Sequence, residues 1–162
     1  MPFSKLSDTP HHFLSQLSGN WQGTSKLWLE PGKLAGESPI VGTIQLLLEG
    51  RFALFLYQSS IDGEAQHGMF TFGFNTTLEQ YEASWVDSYH NNTAIMFCTG
   101  NEKGKGFSVT GSYPSADGGP DWGWRTEVEL SDKDHLIITA YNIGPEGGEA
   151  KVVESKLIKV VK

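Results

Sequence analysis

The chain has 162 residues, a length that suits one domain and allows a core without the help of disulfides or metal. Nineteen glycines, 12% aromatic residues and only 19% charged residues favour a turn-rich β protein over a helical bundle. Twelve Lys and Arg against 19 Asp and Glu leave a net charge of −7, which excludes general nucleic-acid binding, because phosphate contacts need a cationic face.

In chain order, the N-terminal stretch MPFSKLSDTPHH holds no apolar signal core. The one good helix signal follows at once. Thr9 suits the cap, Pro10 the first helical position and Gly19 the end. Phe13, Leu14 and Leu17 recur at helical spacing and give one buried face, with His11 and His12 on the exposed or flanking side. From Trp21 onward the period becomes two. Strands are predicted near 20–29, 40–49, 51–60, 64–75, 79–88, 93–100, 106–113, 121–130, 134–143 and 149–161. Turn signals separate them, among them Pro31-Gly32, Asp62-Gly63, Lys103-Gly104 and Pro145-Glu146-Gly147. No helical period interrupts this series, which spells an antiparallel meander. About ten strands in up-and-down order fit a closed barrel better than a sandwich, since closure hides the edges. No linker or repeat divides residues 1–162 into more than one domain. No apolar run reaches the ~20 residues needed to span a bilayer. Cys98 is the single cysteine, so an internal disulfide is excluded and a reducing, cytoplasmic compartment is expected, with no membrane partner.

The faces of two strands bear on function. Along 79–88, Tyr81, Ala83, Trp85 and Asp87 leave one side and Glu82, Ser84, Val86 and Ser88 the other. Along 121–130 the split is Asp121, Gly123, Arg125 and Glu127 against Trp122, Trp124, Thr126 and Val128. A fully packed barrel would show one uniformly apolar face per strand. Mixed faces point instead to an interior of aromatic and polar groups around a ligand cavity.

Leu14-Ser15-Gln16-Leu17-Ser18-Gly19-Asn20-Trp21-Gln22-Gly23 resembles the opening of lipocalin-type barrels, a short helix running into Gly-x-Trp. Leu48-Glu49-Gly50-Arg51-Phe52, Gly73-Phe74-Asn75, Tyr81-x-x-x-Trp85-Val86-Asp87-Ser88 and Gly148-Glu149-Ala150-Lys151-Val152-Val153-Glu154 follow in order. Together these pieces resemble the bacterial family catalogued as domain of unknown function 1579, a lipocalin-like or calycin-like barrel. In the middle piece Gly-Phe-Asn stands where Gly-Tyr-Asp is commoner. The resemblance implies the fold over nearly the whole chain and promises no activity. It also implies that Trp21 packs across the closed end, covered by a cation from a late strand, Arg125 or Lys156.

Candidate site residues come from the late and central strands. Trp85 and Asp87 share a face, and a buried carboxylate must be paired or neutral. Arg125 is the natural partner, because its planar fork can hold a carboxylate with two hydrogen bonds. The other reading has Asp87 at the strand end, capping the turn with Ser88 and Asn91. Tyr141 and Glu154 lie among apolar neighbours, so that Trp85, Asp87, Arg125, Tyr141 and Glu154 would line one polar patch. The alternative leaves Glu154 facing solvent beside Lys156. A slip of one residue in strand register reverses every such assignment. Among five histidines no pair has zinc spacing, and Asp87-x-x-His90 lacks an evident third ligand. Haem-binding lipocalin-like barrels use one proximal histidine, a role open to a lone inward His67, although an ordinary hydrogen-bonded strand histidine is the favoured reading. No cofactor is expected, neither stoichiometric zinc nor haem. No nucleophile elbow or phosphate loop is present, and Cys98 sits mid-strand as a small apolar group.

Three functions remain open at this point. The first is a carrier or sensor of a small, partly apolar molecule, monomeric or homodimeric, with a polar anchor inside the barrel. The second is an enzyme of the same fold using Asp87 or Glu154 as general acid or base. The third is a filled barrel that acts through its surface. An open pocket of mixed polarity separates the first two from the third.

Overall fold

In the computed structural model, which describes residues 9–161, period-two patterning yields ten antiparallel strands after one short helix. The helix α1 spans Thr9–Gln16. The strands are β1 (Gly19–Glu30), β2 (Lys33–Leu47), β3 (Phe52–Ile61), β4 (Glu64–Asn75), β5 (Gln80–Asp87), β6 (Met96–Lys103), β7 (Gly106–Tyr113), β8 (Trp122–Asp132), β9 (His135–Ile143) and β10 (Glu149–Lys159). Each pairs with its neighbour in sequence, and β1 closes the ring on β10, with Trp21 opposite Lys159. Residues 1–8, read above as lacking an apolar signal core, lie outside the described residues. No described helix is long and apolar enough to cross a membrane.

Two strand bounds differ from the periodic reading. β2 begins at Lys33 rather than near 40, because Lys33–Leu47 continues the hairpin ladder with β1 past its apolar part. β6 starts at Met96, since residues 91–95 form a turn closed by an Ala94 N–H donating to the Asn91 carbonyl at 2.8 Å.

One end of the barrel is plugged. Leu14 and Leu17 are fully buried, and the Trp21 indole donates to the Leu17 carbonyl at 2.8 Å. The Lys159 ammonium lies 5.0 Å from the Trp21 ring centroid. A late-strand cation therefore covers Trp21, but it is Lys159, set directly across the closing ladder, and not Arg125 or Lys156. His11 is buried and meets Phe74 edge-on at 6.2 Å, against the expectation of a flanking position. His11 precedes Leu14 by three residues, which puts the two on the same face of the helix. Below the plug, Phe72, Phe107, Val109, Val128, Leu136 and Leu157 fill the lower interior.

Toward the other end the filling thins. The inward positions of β1 change from Trp21 to Ser25 and Leu27, and those of β10 from Leu157 to Ser155 and Val153. Smaller side chains leave a cavity of about 260 Å³ under the β1–β2 and β3–β4 hairpins. The barrel is filled below and hollow above.

Candidate functional site

One side of the cavity wall is built from aromatic inward residues, beside serines and aliphatic side chains. Tyr57 of β3, Phe70 of β4, Trp85 of β5 and Trp124 of β8 all line it. Phe70 and Trp85 lie nearly parallel at 5.4 Å between centroids, and Trp85 and Trp124 stack at 5.1 Å. The Trp85 indole donates to the Tyr57 hydroxyl at 2.9 Å. Tyr57 reaches across because Gly68 stands opposite it in the ladder, and a β-carbon there would come within 2.0 Å of the phenol ring. Burial pushes the Tyr57 phenol above its ordinary value, despite the Trp85 hydrogen bond, and the nearby Asp87 charge adds to the shift.

The polar part of the site comes from the end of β5 and the turn after it. Asp87 is inward and fully buried at its side chain. Its Oδ1 accepts the Asn91 backbone N–H at 2.7 Å, and its Oδ2 accepts Gln66 Nε2 at 3.0 Å and meets His90 Nδ1 at 2.8 Å. Burial works to raise its pKa, but the His90 contact and charge, the Asn91 N–H and Gln66 together outweigh that and hold it below the ordinary carboxylate value. Both sequence readings of Asp87 are therefore true at once: it is interior, and it caps the turn through Asn91. The Asn91 amide adds a second strut by donating to the Trp85 carbonyl at 3.1 Å.

This turn folds the His90 ring back over the aromatic wall, 5.8 Å from Trp85 and 5.2 Å from Trp124. An ionised Asp87 can only accept, so a hydrogen sits on Nδ1. Nε2 is buried without a protein hydrogen-bond partner among the described residues, as are Trp124 Nε1 and Thr126 Oγ1. All three residues line the cavity. Deeper and lateral hydroxyls are satisfied among themselves: Ser155 donates to Ser25 at 2.9 Å, and Ser38 donates to the Ser60 carbonyl at 2.8 Å.

Four sequence candidates fall elsewhere. Arg125 faces outward on β8, because Trp124, Thr126 and Val128 take the inward positions. It holds Glu149 through Nε and Nη2 at 2.9 and 3.0 Å, also pairs with Glu127, and lies 4.2 Å from the Tyr141 ring centroid. Arg125 is thus not the partner of Asp87; His90 is. Tyr141 opposes Arg125 in the ladder and shares its outer face. Glu154 is also outside, paired with Lys151 at 2.9 Å and near Lys156 at 3.9 Å. A bulge between Lys151 and Val153 puts one extra residue in β10, which brings Lys151 and Glu154 to the same face although they are three apart. His67 is exposed on the outside of β4, where it cannot serve an interior group. Of the predicted set, Trp85 lines the cavity and Asp87 is buried behind Gln66 and His90, which line it, while Arg125, Tyr141, Glu154 and His67 lie elsewhere.

Trp124, Thr126, Tyr57 and Gln66 were not assigned to the site, and His90 was weighed only as a metal partner of Asp87. Trp124 and Thr126 were legible as one face of β8, with no way to tell that face inward. The described residues contain no group of three metal-ligating side chains. Cys98 is buried, and burial pushes its thiol up to about 11, so it packs as an apolar group.

Solved structures share this architecture. An S-type phycobiliprotein lyase, CPES, from Guillardia theta superposes with a TM-score of 0.64 at 11% identity, over 97% of this chain and 96% of that one. Rv2717c from M. tuberculosis gives a TM-score of 0.60 at 13% identity, over 95% and 99% of the two chains. At these identities the likeness is one of fold. No curated protein matches the chain. The family model described as "Protein of unknown function (DUF1579)" matches residues 7–159, nearly end to end, and the chain belongs to that family.

Proposed function

We propose that the protein binds a small, partly apolar molecule in the upper barrel cavity. The observation that carries this reading is a cavity of about 260 Å³ with stacked aromatic rings on one side, lined also by His90, Trp124 and Thr126, whose Nε2, Nε1 and Oγ1 are buried without a protein partner among the described residues. Buried polar groups are nearly always hydrogen-bonded, and each one left alone costs about 1–3 kcal/mol. A wall built for stability alone would pair them or replace them with apolar groups. A concave, mainly apolar space with a few aimed polar groups is the usual form of a ligand site. The similar barrel from Guillardia theta is an S-type phycobiliprotein lyase, and the likeness of fold is consistent with a binding role for the interior.

The surface-only reading needed a filled interior, and a cavity of about 260 Å³ disfavours it. An enzymatic reading retains one specific support, the Asp87–His90 pair, in which His90 rather than a carboxylate would take a proton. Glu154 plays no part in it. Native mass spectrometry of the protein as purified is the direct test. The expected result is an added mass that denaturation releases, and a titration with the released compound should quench tryptophan fluorescence. Because Trp85 and Trp124 both line the cavity, Trp85→Phe should remove only part of the quench, and the Trp85→Phe, Trp124→Phe double variant nearly all of it. A bare protein mass, with no quench by any member of a small aromatic library, would overturn the proposal. A released compound chemically altered by incubation would favour the enzyme.

A further inference from the structure

The outer wall of the barrel is divided by charge. Arg125 and Glu127 of β8 stand together with Glu149, Lys151, Glu154 and Lys156 of β10. The wall from β1 to β5 is different. One ladder row across it holds Ile158, Gln22, Val41, Gln58 and His67. The next holds Asn20, Thr43, Leu56, Met69 and Val86. A third, from Gln45 to Phe97, passes through Leu54, Thr71 and Ser84. Alternation turns all of these outward, because Trp21, Ile44, Phe55, Phe70, Trp85 and Met96 take the inward positions. None of the three rows contains Asp, Glu, Lys or Arg, where the chain's own 19% would put about three. Val41, Leu56, Phe97 and Ile158 are apolar and each about half exposed or more.

Size, charge and polarity together point to one occupant. With strands about 4.8 Å apart and outward residues about 6.7 Å apart along each, three rows of five make roughly 500 Å² of face. That is the top of the range for an apolar patch on a monomer, and it suits the uncharged core of an interface that needs about 800 Å² per partner once its rim is counted. A closed barrel has no free strand edge, so such a contact must be made face to face. A partner chosen by charge would meet charge here, and there is none. Two copies of a chain with net charge −7 repel through the rest of their surfaces and can meet only where both are neutral. The polar side chains of the face are carboxamides, hydroxyls and one imidazole, each able both to donate and to accept. They can therefore pair with their own copies, as a two-fold contact requires.

We propose that this face joins two copies of the chain in a symmetric dimer centred on Leu56, which stands in the middle row on the middle strand of β1 to β5. None of the residues in the three rows lines the cavity, so the dimer stands apart from the ligand site.

Sedimentation of the full chain in the analytical ultracentrifuge, from about 1 to 200 µM, tests this. Twice the chain mass should appear toward the top of that range, and growth should stop there, because a two-fold contact uses up the face. Raising NaCl from about 0.05 to 0.5 M should strengthen the dimer by screening the repulsion between two acidic chains. Leu56→Glu and Val41→Glu change exposed positions on two strands. Each should keep the circular dichroism of wild type and raise the dissociation constant about tenfold or more, since like charges then meet across the axis. Two positions are used so that, if one variant misfolds, the other decides. Leu78→Glu alters an equally exposed apolar residue in the β4–β5 turn and should leave the constant within about twofold. A dimer that weakens with salt, or that ignores both face variants, overturns the proposal, as does growth past the dimer. A monomer at every concentration overturns it too and leaves the face to a foreign partner with a neutral, apolar surface.

Discussion

Asp87 keeps a fully buried carboxylate because three neighbours hydrogen-bond it, His90, Gln66 and the Asn91 backbone N–H. In Asp87→Asn the new amide presents hydrogens toward donors, so the turn loses its anchor and His90 its carboxylate partner. A cost of about 1.5–3 kcal/mol at neutral pH is expected, the usual worth of hydrogen bonds to a buried charge. The pH dependence follows from the lowered native pKa. Stability due to the Asp87 charge is fully present above the ordinary carboxylate value and disappears as pH falls through the lower native one. Denaturant unfolding from pH 7 down to about 2.5 should therefore show wild type and Asp87→Asn converging in acid. A constant gap across that range would mean that the carboxylate is not ionised in the native state.

At the scale of elements, β8 shows how one strand serves two unrelated purposes. Its inward face gives Trp124 and Thr126 to the cavity, while its outward face gives Arg125 to an ion-pair cluster with Glu127 of the same strand and Glu149 of β10. The cluster is partly open to solvent, with Glu149 41% exposed at its side chain, so screening limits its worth. Arg125→Gln is expected to lower stability by about 1 kcal/mol or less, with the difference shrinking as salt rises, and to leave ligand affinity unchanged. A loss of ligand affinity in that variant, measured by the same titration that reads wild type, would connect the outer face to the cavity after all. The β5–β6 turn is the opposite case. It has no regular structure, yet three side chains, Asp87, His90 and Asn91, tie it to the strand it leaves.

For the whole molecule, the division into a packed lower half and a hollow upper half separates stability from binding. The plug of Leu14, Leu17 and Trp21 sits at the far end from the cavity mouth, and Trp21 is fully buried with its indole N–H satisfied by Leu17. Trp21→Ala should cost about 3–5 kcal/mol, the range for deleting a core aromatic, and the loss of the Leu17 hydrogen bond comes within it. Guanidinium unfolding checks this. A loss under about 1 kcal/mol would show the plug to be dispensable for closing the barrel.

How much of this was readable from residues alone depends on the range of the interaction involved. The order of ten strands, the one short helix and the Gly-x-Trp at its end are local patterns: alternation, turn residues and a cap, each complete within a dozen residues. They determined the closed barrel, whereas the packing of Trp21 across its end came from the resemblance to lipocalin-type barrels. The pairing of Trp85 with Asp87 on one face is also local, a matter of two-residue spacing, and it survived intact. What alternation cannot say is which face is inside. For β8 that choice decided between Arg125 and Trp124, and both faces were plausible in isolation because each held an aromatic or long side chain beside polar ones. For β10 the parity itself breaks at the bulge near Val152, so no count from either end places both Lys151 and Glu154 correctly. His90 lies in a turn that periodicity does not describe, and only the fold carries its ring over Trp85 and Trp124. The barrel was determined by local sequence pattern; the cavity and the inward placing of Trp124 and Thr126 were decided by tertiary structure, because closure alone settles which side of each strand meets the others.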